Sequence, residues 1–290
     1  MTDSPLGLNP EALLEEWGRR VRANREQAEA FREGVESPDF YAPVASRFKA
    51  DPRRTGESNL DYLRNLVVPG ETWIDIGAGG GRYALPLALQ GANVIAVDPS
   101  PGMLAVLAET AEENNVTGVR TIESRWPMAD PPEGDVTFIA HVSYDIEDIG
   151  PFLDAMEASA SRLCVAELLS ESPATAFAGL WPGVHGVERN LLPALPEFLA
   201  LLLARGKLPS VWLGERPAGS FKDIDTIARF ALNQLFIQPG GEKDRRLREE
   251  VLPALLDRQP DGSLMLQKHA SKLGIVTWDP RGGLGRFPKP

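Results

Sequence analysis

The chemistry of this chain concentrates in Trp73-Ile74-Asp75-Ile76-Gly77-Ala78-Gly79-Gly80-Gly81-Arg82-Tyr83. An apolar run carrying one carboxylate enters a cluster of glycines. Glycine permits positive φ and lets a ligand approach the backbone closely. A helix beginning there presents unpaired N–H groups to that ligand. In doubly wound sheets this turn, at the carboxyl end of the first strand, is where nucleotides bind. A dinucleotide fingerprint needs a third glycine where this chain has Arg82. That glycine lets helix and strand pack closely, so arginine disfavours a nicotinamide-dependent oxidoreductase. The spacing actually present is Asp75-x-Gly77-x-Gly79-x-Gly81.

A second carboxylate sits where a ribose would need it. Val94-Ile95-Ala96-Val97-Asp98-Pro99-Ser100 reads as a strand ending in an acidic residue, about 20 residues past the glycines. Its two oxygens can accept from both ribose hydroxyls. Ser100 and Pro101 suit the N-cap and first residue of the next helix, which leaves Asp98 for a ligand.

On these two anchors the sequence resembles the class I S-adenosylmethionine-dependent methyltransferases, whose first motif is an acidic residue and glycines in this spacing. The resemblance covers residues 60–169. It implies S-adenosyl-L-methionine as cofactor, with the backbone of Gly77, Ala78, Gly79 and Gly81 bordering the methionine moiety. It further implies Asp75 near the ammonium, Asp98 on the ribose, and Pro99 and Met103 flanking the adenine. After the third strand, Glu123 or Ser124, or the backbone of Arg125 and Trp126, would contact the adenine, with the Trp126 ring nearby.

In this family the end of the fourth strand faces the reacting methyl, and here it carries His141. His141 is a candidate general base or ligand-shell residue, and equally a hydrogen-bonded structural histidine. Tyr41 resembles an N-terminal tyrosine that closes over the cofactor in some members. His185, in Leu180-Trp181-Pro182-Gly183-Val184-His185-Gly186, is a candidate for the edge of the acceptor pocket. The N-terminal zone and this glycine-flanked loop are expected to form a lid that excludes water.

No residue identifies the acceptor. The Pro-Pro-aromatic motif of amino-group nucleic acid methyltransferases is missing from the fourth strand end. Cys164 lies inside the fifth strand rather than in a nucleophile loop. Formal net charge is −11, from 41 acidic and 30 basic residues, which opposes a polyanionic partner. A small-molecule acceptor is expected, with neither nucleic acid nor membrane as partner, and a monomer or homodimer. The alternative is a non-catalytic S-adenosylmethionine-binding module that regulates a partner. One cysteine and three dispersed histidines suggest neither a disulfide framework nor a metal site.

The elements that must position these residues alternate along the chain. Strands are expected at residues 72–76, 92–97, 119–124, 136–140 and 163–168, with helices at 81–89, 101–114 and 151–159 between them. Such alternation with apolar strands predicts a doubly wound, mostly parallel, seven-stranded Rossmann-like α/β sheet with helices on both faces. The sixth strand and the antiparallel seventh are assigned to 210–213 and 274–278. Residues 1–59 read as an N-terminal helical cap, with an amphipathic helix over 11–33. Residues 60–170 form the cofactor-binding core. Residues 171–280 complete the core with a helical substrate-side insertion containing helices at 191–204, 225–236 and 244–256. Residues 281–290 are a Gly-, Pro- and Arg-containing tail. A length of 290 residues buries enough surface to need no staple. The longest apolar stretch, near Leu199–Ala204, falls far short of the roughly 20 residues of a membrane span. With no signal-peptide pattern at the start, the expected compartment is the cytoplasm.

Overall fold

A seven-stranded sheet organises the chain, in a computed structural model that describes residues 7–34, 49–216, 219–266 and 271–282. Its strands are β1 (Thr72–Ile76), β2 (Asn93–Asp98), β3 (Val119–Glu123), β4 (Gly134–Ala140), β5 (Ala160–Leu169), β6 (Ser210–Arg216) and β10 (Ser271–Trp278). Their order is β3-β2-β1-β4-β5-β10-β6. The first five are mutually parallel, and β10 runs antiparallel to both β5 and β6. The expected sheet is present, and its order reverses between β1 and β4, beside the glycine turn.

Side-chain alternation along the strands builds one core on each face. Ile74, Ile76, Ile139, Ala166 and Leu168 face one core, closed by α5 (Ile149–Ser159) and α7 (Leu195–Ala204) and by Trp17 and Val21 of α1 (Pro10–Phe31). Trp73, Phe138, Val165 and Ile275 face the other. That core is closed by α2 (Ser58–Leu66), α3 (Ala84–Leu89) and Leu107 of α4 (Pro101–Glu113). Both faces are therefore covered, as a largely parallel sheet requires.

Local chemistry sets the helix starts. Asn9 caps α1 by accepting from the N–H groups of Glu11 and Ala12. Ser100 caps α4, with Pro101 at its first position. The helix expected from Gly81 begins only at Ala84, because Gly81 takes φ +81°, outside the right-handed helical region. The helix expected from Leu191 begins at Leu195, where Glu197 Oε2 accepts from the Ala194 N–H. β6 and β10 are longer than expected, since each residue pairs across a regular antiparallel ladder from Ser210–Thr277 to Arg216–Ser271.

A third core lies outside the sheet. α6 (Trp181–His185), α8 (Ile224–Leu235), a π-helical turn at Leu247–Val251 and α10 (Leu252–Leu255) pack Trp181, Ile227, Leu235, Leu247 and Leu252 together, with Phe31 of α1 against them. α9 (Glu242–Arg246) leads into the π turn. The residues expected as a glycine-flanked loop around Trp181 are thus helical. A three-stranded sheet, β7 (Ser220–Phe221), β9 (Leu264–Met265) and β8 (Asp257–Arg258), was not anticipated, because two-residue strands carry no periodic signal.

Candidate active site

The turn after β1 is held by its neighbour β2. The N–H groups of Gly77 and Ala78 both donate to the Val97 carbonyl, at 2.7 and 3.1 Å. Gly77, Gly79 and Gly81 take φ of +74°, +53° and +81°, the left-handed region that favours glycine. A Cβ on Gly81 would lie 2.8 Å from Leu107 Cγ, so this glycine lets α4 pack against the turn. The close-packing role sought at position 82 falls to Gly81. A Cβ on Gly79 would meet nothing within 4 Å, so the backbone there borders open space. Arg82 turns to Glu57, its guanidinium 2.8 Å from the carboxylate.

Asp98 closes the turn. Its Oδ2 accepts from the Gly79 N–H at 2.8 Å, and its Oδ1 accepts from the Ser100 N–H at 2.9 Å. Asp75, 2% exposed, lies beneath. Its Oδ2 has no hydrogen-bond partner among the described residues. Burial first, and the neighbouring Asp98 charge second, push the Asp75 carboxyl up to about 8, against one favourable backbone N–H from Ala84.

The next group of expected residues lies along the ends of β2 and β3. Pro99 is exposed and Met103 buried, the latter's N–H held by Ser100 Oγ at 3.2 Å. Ser124 is half-buried; its N–H donates to the Asp98 carbonyl and its hydroxyl to the Arg125 carbonyl. Arg125 is exposed. The half-buried Trp126 packs on the core and donates its indole N–H to the Phe152 carbonyl at 3.3 Å.

Across the turn, at the ends of β4 and β5, lies a polar network. His141 takes φ +59°, a strained conformation for a residue with a Cβ. Its ring is clamped on both nitrogens: Nδ1 lies 3.2 Å from the Tyr144 hydroxyl and Nε2 3.4 Å from Glu167 Oε1. The Tyr144 hydroxyl also accepts from the Leu169 N–H at 2.7 Å. Burial, with the positive charges of Arg216 and Arg82, pulls the imidazole down to about 4, so it is neutral at pH 7. Glu167 is fully buried and accepts from the Tyr83 hydroxyl and, at 3.1 Å, from Asn59 Nδ2. Burial raises its carboxyl despite these donors. Val142, next in sequence, packs on Gly77, where a Cβ would lie 2.5 Å from Val142 Cγ2. Glu167, Asn59, Tyr83 and Tyr144 are not among the site residues expected from the sequence. The available signal was the one carboxylate in the otherwise apolar run Cys164-Val165-Ala166-Glu167-Leu168-Leu169.

Two expected residues are not in this cluster. His185 donates to or accepts from the cap: Nε2 lies 2.9 Å from the Leu235 carbonyl, and the ring contacts Phe31 and Trp181 at centroid distances of 4.9 and 4.3 Å. All of these contacts belong to the third core, so the structure places His185 in helix packing. Trp181 is itself 1% exposed. Tyr41, and with it the N-terminal part of the expected lid, lies outside the described residues. Among the described residues no group of His, Cys, Asp and Glu could hold a metal ion. No described helix is long and apolar enough to cross a membrane.

The strand order and the glycine turn define a Rossmann-like nucleotide-binding α/β protein. A family model described as a methyltransferase domain matches residues 74–162, the span from the glycine turn to the start of β5. The YcgJ protein of Bacillus subtilis superposes with a TM-score of 0.53 at 14% identity, covering 76% of this chain and 97% of that one. An uncharacterized protein of Haemophilus influenzae is 25% identical over 220 residues, 73% of this chain and 78% of the relative. Shorter matches are 37% identical: a ubiquinone biosynthesis O-methyltransferase of Azorhizobium caulinodans over 81 residues (28% of this chain, 32% of the relative) and a 23S rRNA (uracil-C5) methyltransferase of Halomonas elongata over 86 (29% and 17%). Residues 74–162 therefore carry a methyltransferase domain, on the fold of the class I S-adenosylmethionine-dependent methyltransferases. The residues present fit that cofactor. An unpartnered buried carboxylate oxygen suits a cationic amino acid head, and Gly79 leaves room for close approach. The acceptor is a separate matter, since one of the shorter matches is named for ubiquinone biosynthesis and the other for 23S rRNA.

Proposed function

We propose that this methyltransferase acts on a small-molecule acceptor, by in-line transfer at the cleft between the glycine turn and His141. The cofactor, when bound, supplies an activated methyl on a sulfonium, already a good leaving group. The protein's task is then alignment and exclusion of water. In this reading Gly77, Ala78, Gly79 and Gly81 give backbone surface to the methionine moiety, Asp75 takes its ammonium and Asp98 the ribose hydroxyls. Pro99, Met103, Ser124, Arg125 and Trp126 border the adenine. His141, whose side chain is 27% exposed, forms the acceptor side.

The observation that carries this reading is the bond from the Gly79 N–H to Asp98 Oδ2, which fixes a carboxylate at the mouth of a turn whose backbone borders open space. α1 supports the opposite wall, through Trp17 and through Arg22 and Arg25, both paired with Glu147 at 2.7 and 2.8 Å. A net charge of −11 favours a small acceptor over a polyanion.

Two measurements test it. Calorimetry should give binding of S-adenosylmethionine and S-adenosylhomocysteine, and none of NAD. Asp98→Ala should weaken both by about 10- to 150-fold, the equivalent of roughly 1.5–3 kcal/mol for a charge-assisted hydrogen bond. A screen for S-adenosylhomocysteine production should then find turnover with phenols, amines or carboxylic acids. Faster methylation of duplex DNA or ribosomal RNA than of any small acceptor would reject the small-molecule reading.

A further inference from the structure

Asp75 and Asp98 are two carboxylates with opposite environments. Asp98 accepts two backbone N–H groups, one from the glycine turn and one at the start of α4. Both of its oxygens are thus hydrogen-bonded to backbone N–H groups. Asp75 is 2% exposed, and its Oδ2 has no partner among the described residues. The groups around Asp75 offer it little compensation. β2 brings only Asp98, a like charge, and α3 only the Ala84 N–H. β4 sets Phe138 beside it, and the one ionisable residue of that strand, Asp135, is at the far end accepting from the Thr72 N–H. Arg82, after the turn, is committed to Glu57, and His141 to Tyr144 and Glu167. When two neighbouring carboxylates differ this much, one proton is shared unequally, and it resides on the less solvated one.

We propose that Asp75 carries a proton in the cofactor-free protein and gives it up to solvent when the amino acid head of the cofactor binds, so that cofactor binding is a proton-exchange reaction. The balance is simple. A neutral carboxyl and a ligand ammonium become a carboxylate–ammonium pair, and one proton passes to buffer. This rests on the cofactor reading above and adds to it that Asp75 is neutral beforehand. The rise of its carboxyl to about 8 supports the same assignment.

The experiment is isothermal titration of the full chain with S-adenosylhomocysteine at pH 6.5, in two buffers of different ionisation enthalpy. Methylthioadenosine, which lacks the amino acid head, serves as the comparison ligand. We expect close to one proton released with S-adenosylhomocysteine and none with methylthioadenosine. Between pH 7 and 6 the dissociation constant for S-adenosylhomocysteine should rise about tenfold, as linkage to one proton requires. Asp75→Asn should release no proton and lose this pH dependence. Asp98→Asn, by removing the like charge, should lower the proton release. Should Asp75→Asn misfold, carbon-13 titration of the Asp75 carboxyl in the unmodified protein should still show a midpoint above pH 7. Binding of S-adenosylhomocysteine without proton release, or a carboxyl titrating near pH 4, would overturn the proposal while leaving the cofactor reading intact. Failure of S-adenosylhomocysteine to bind at any pH would overturn both.

Discussion

The indole N–H of Trp17 donates to the carbonyl of Ile146 at 2.9 Å, across 129 residues of sequence. This bond, with the Arg22 and Arg25 pairs to Glu147, joins the N-terminal helix to the loop that follows β4 and carries Tyr144. Trp17 is 2% exposed, and its ring lies edge-on to Phe198 with centroids 6.4 Å apart. α1 is therefore part of the core on that face, and it braces the loop after β4, on the side proposed for the acceptor.

Truncating that brace should be costly. Trp17→Ala should destabilise the fold by about 3–5 kcal/mol, the range for a large buried aromatic. Trp17→Phe keeps most of the packing but orphans the Ile146 carbonyl, and should cost about 1–3 kcal/mol. Urea unfolding measures both. Under native conditions Trp17→Phe should bind S-adenosylhomocysteine as the parent does, because the cofactor's glycine turn lies elsewhere on the sheet edge.

Tyr83 and Glu167 should be energetically coupled. The phenol donates to a carboxylate that is fully buried and is otherwise served by Asn59 and the His141 ring. Removing a donor from a buried acceptor costs more than the bond itself contributes. A double-mutant cycle of Tyr83→Phe and Glu167→Gln, read by denaturant unfolding, should give a coupling of about 1–3 kcal/mol. A coupling near zero would mean that Glu167 is held by its other partners.

Two glycines of the turn should separate stability from binding. Gly81→Ala places a Cβ 2.8 Å from Leu107 Cγ at φ +81°, and should lose well over 1–2 kcal/mol of stability through strain and clash together. Gly79→Ala sits at φ +53° with nothing within 4 Å, so about 1 kcal/mol of backbone strain is its whole folding cost. The same methyl would project into the open space where the cofactor is proposed to bind. S-adenosylhomocysteine affinity should therefore fall at least tenfold in Gly79→Ala, a change calorimetry resolves.

Stability itself should fall with rising pH through Asp75. Its carboxyl is pushed up to about 8 in the folded protein, against an ordinary value of 3.8. Between these values the folded chain holds more protons than the unfolded chain. Its stabilising contribution is complete below about pH 4 and is lost as pH rises through about 8. The slope is at most about 1.4 kcal/mol per pH unit. Asp75→Asn should flatten the stability profile between pH 5 and 8 by that term, measured by chemical denaturation at several pH values.

The sequence by itself determined the half of the site that is local. Asp75 and the glycines lie within one turn, and Asp98 ends the adjacent strand, so spacing along the chain is spacing in space. Apolar strands alternating with helices likewise dictated the sheet and the cover on both of its faces. Tertiary structure alone decided the polar cluster at the ends of β4 and β5. Asn59, Tyr83, His141 and Glu167 come from four separate elements, and only the placement of β5 beside β4 brings Glu167 to the imidazole. His185 shows the converse. Its glycine-flanked setting suggested a mobile pocket edge, but Phe31, Trp181 and Leu235 surround it from three helices. Burial of an aromatic cluster is a sum over distant segments, and no local pattern of residues encodes it.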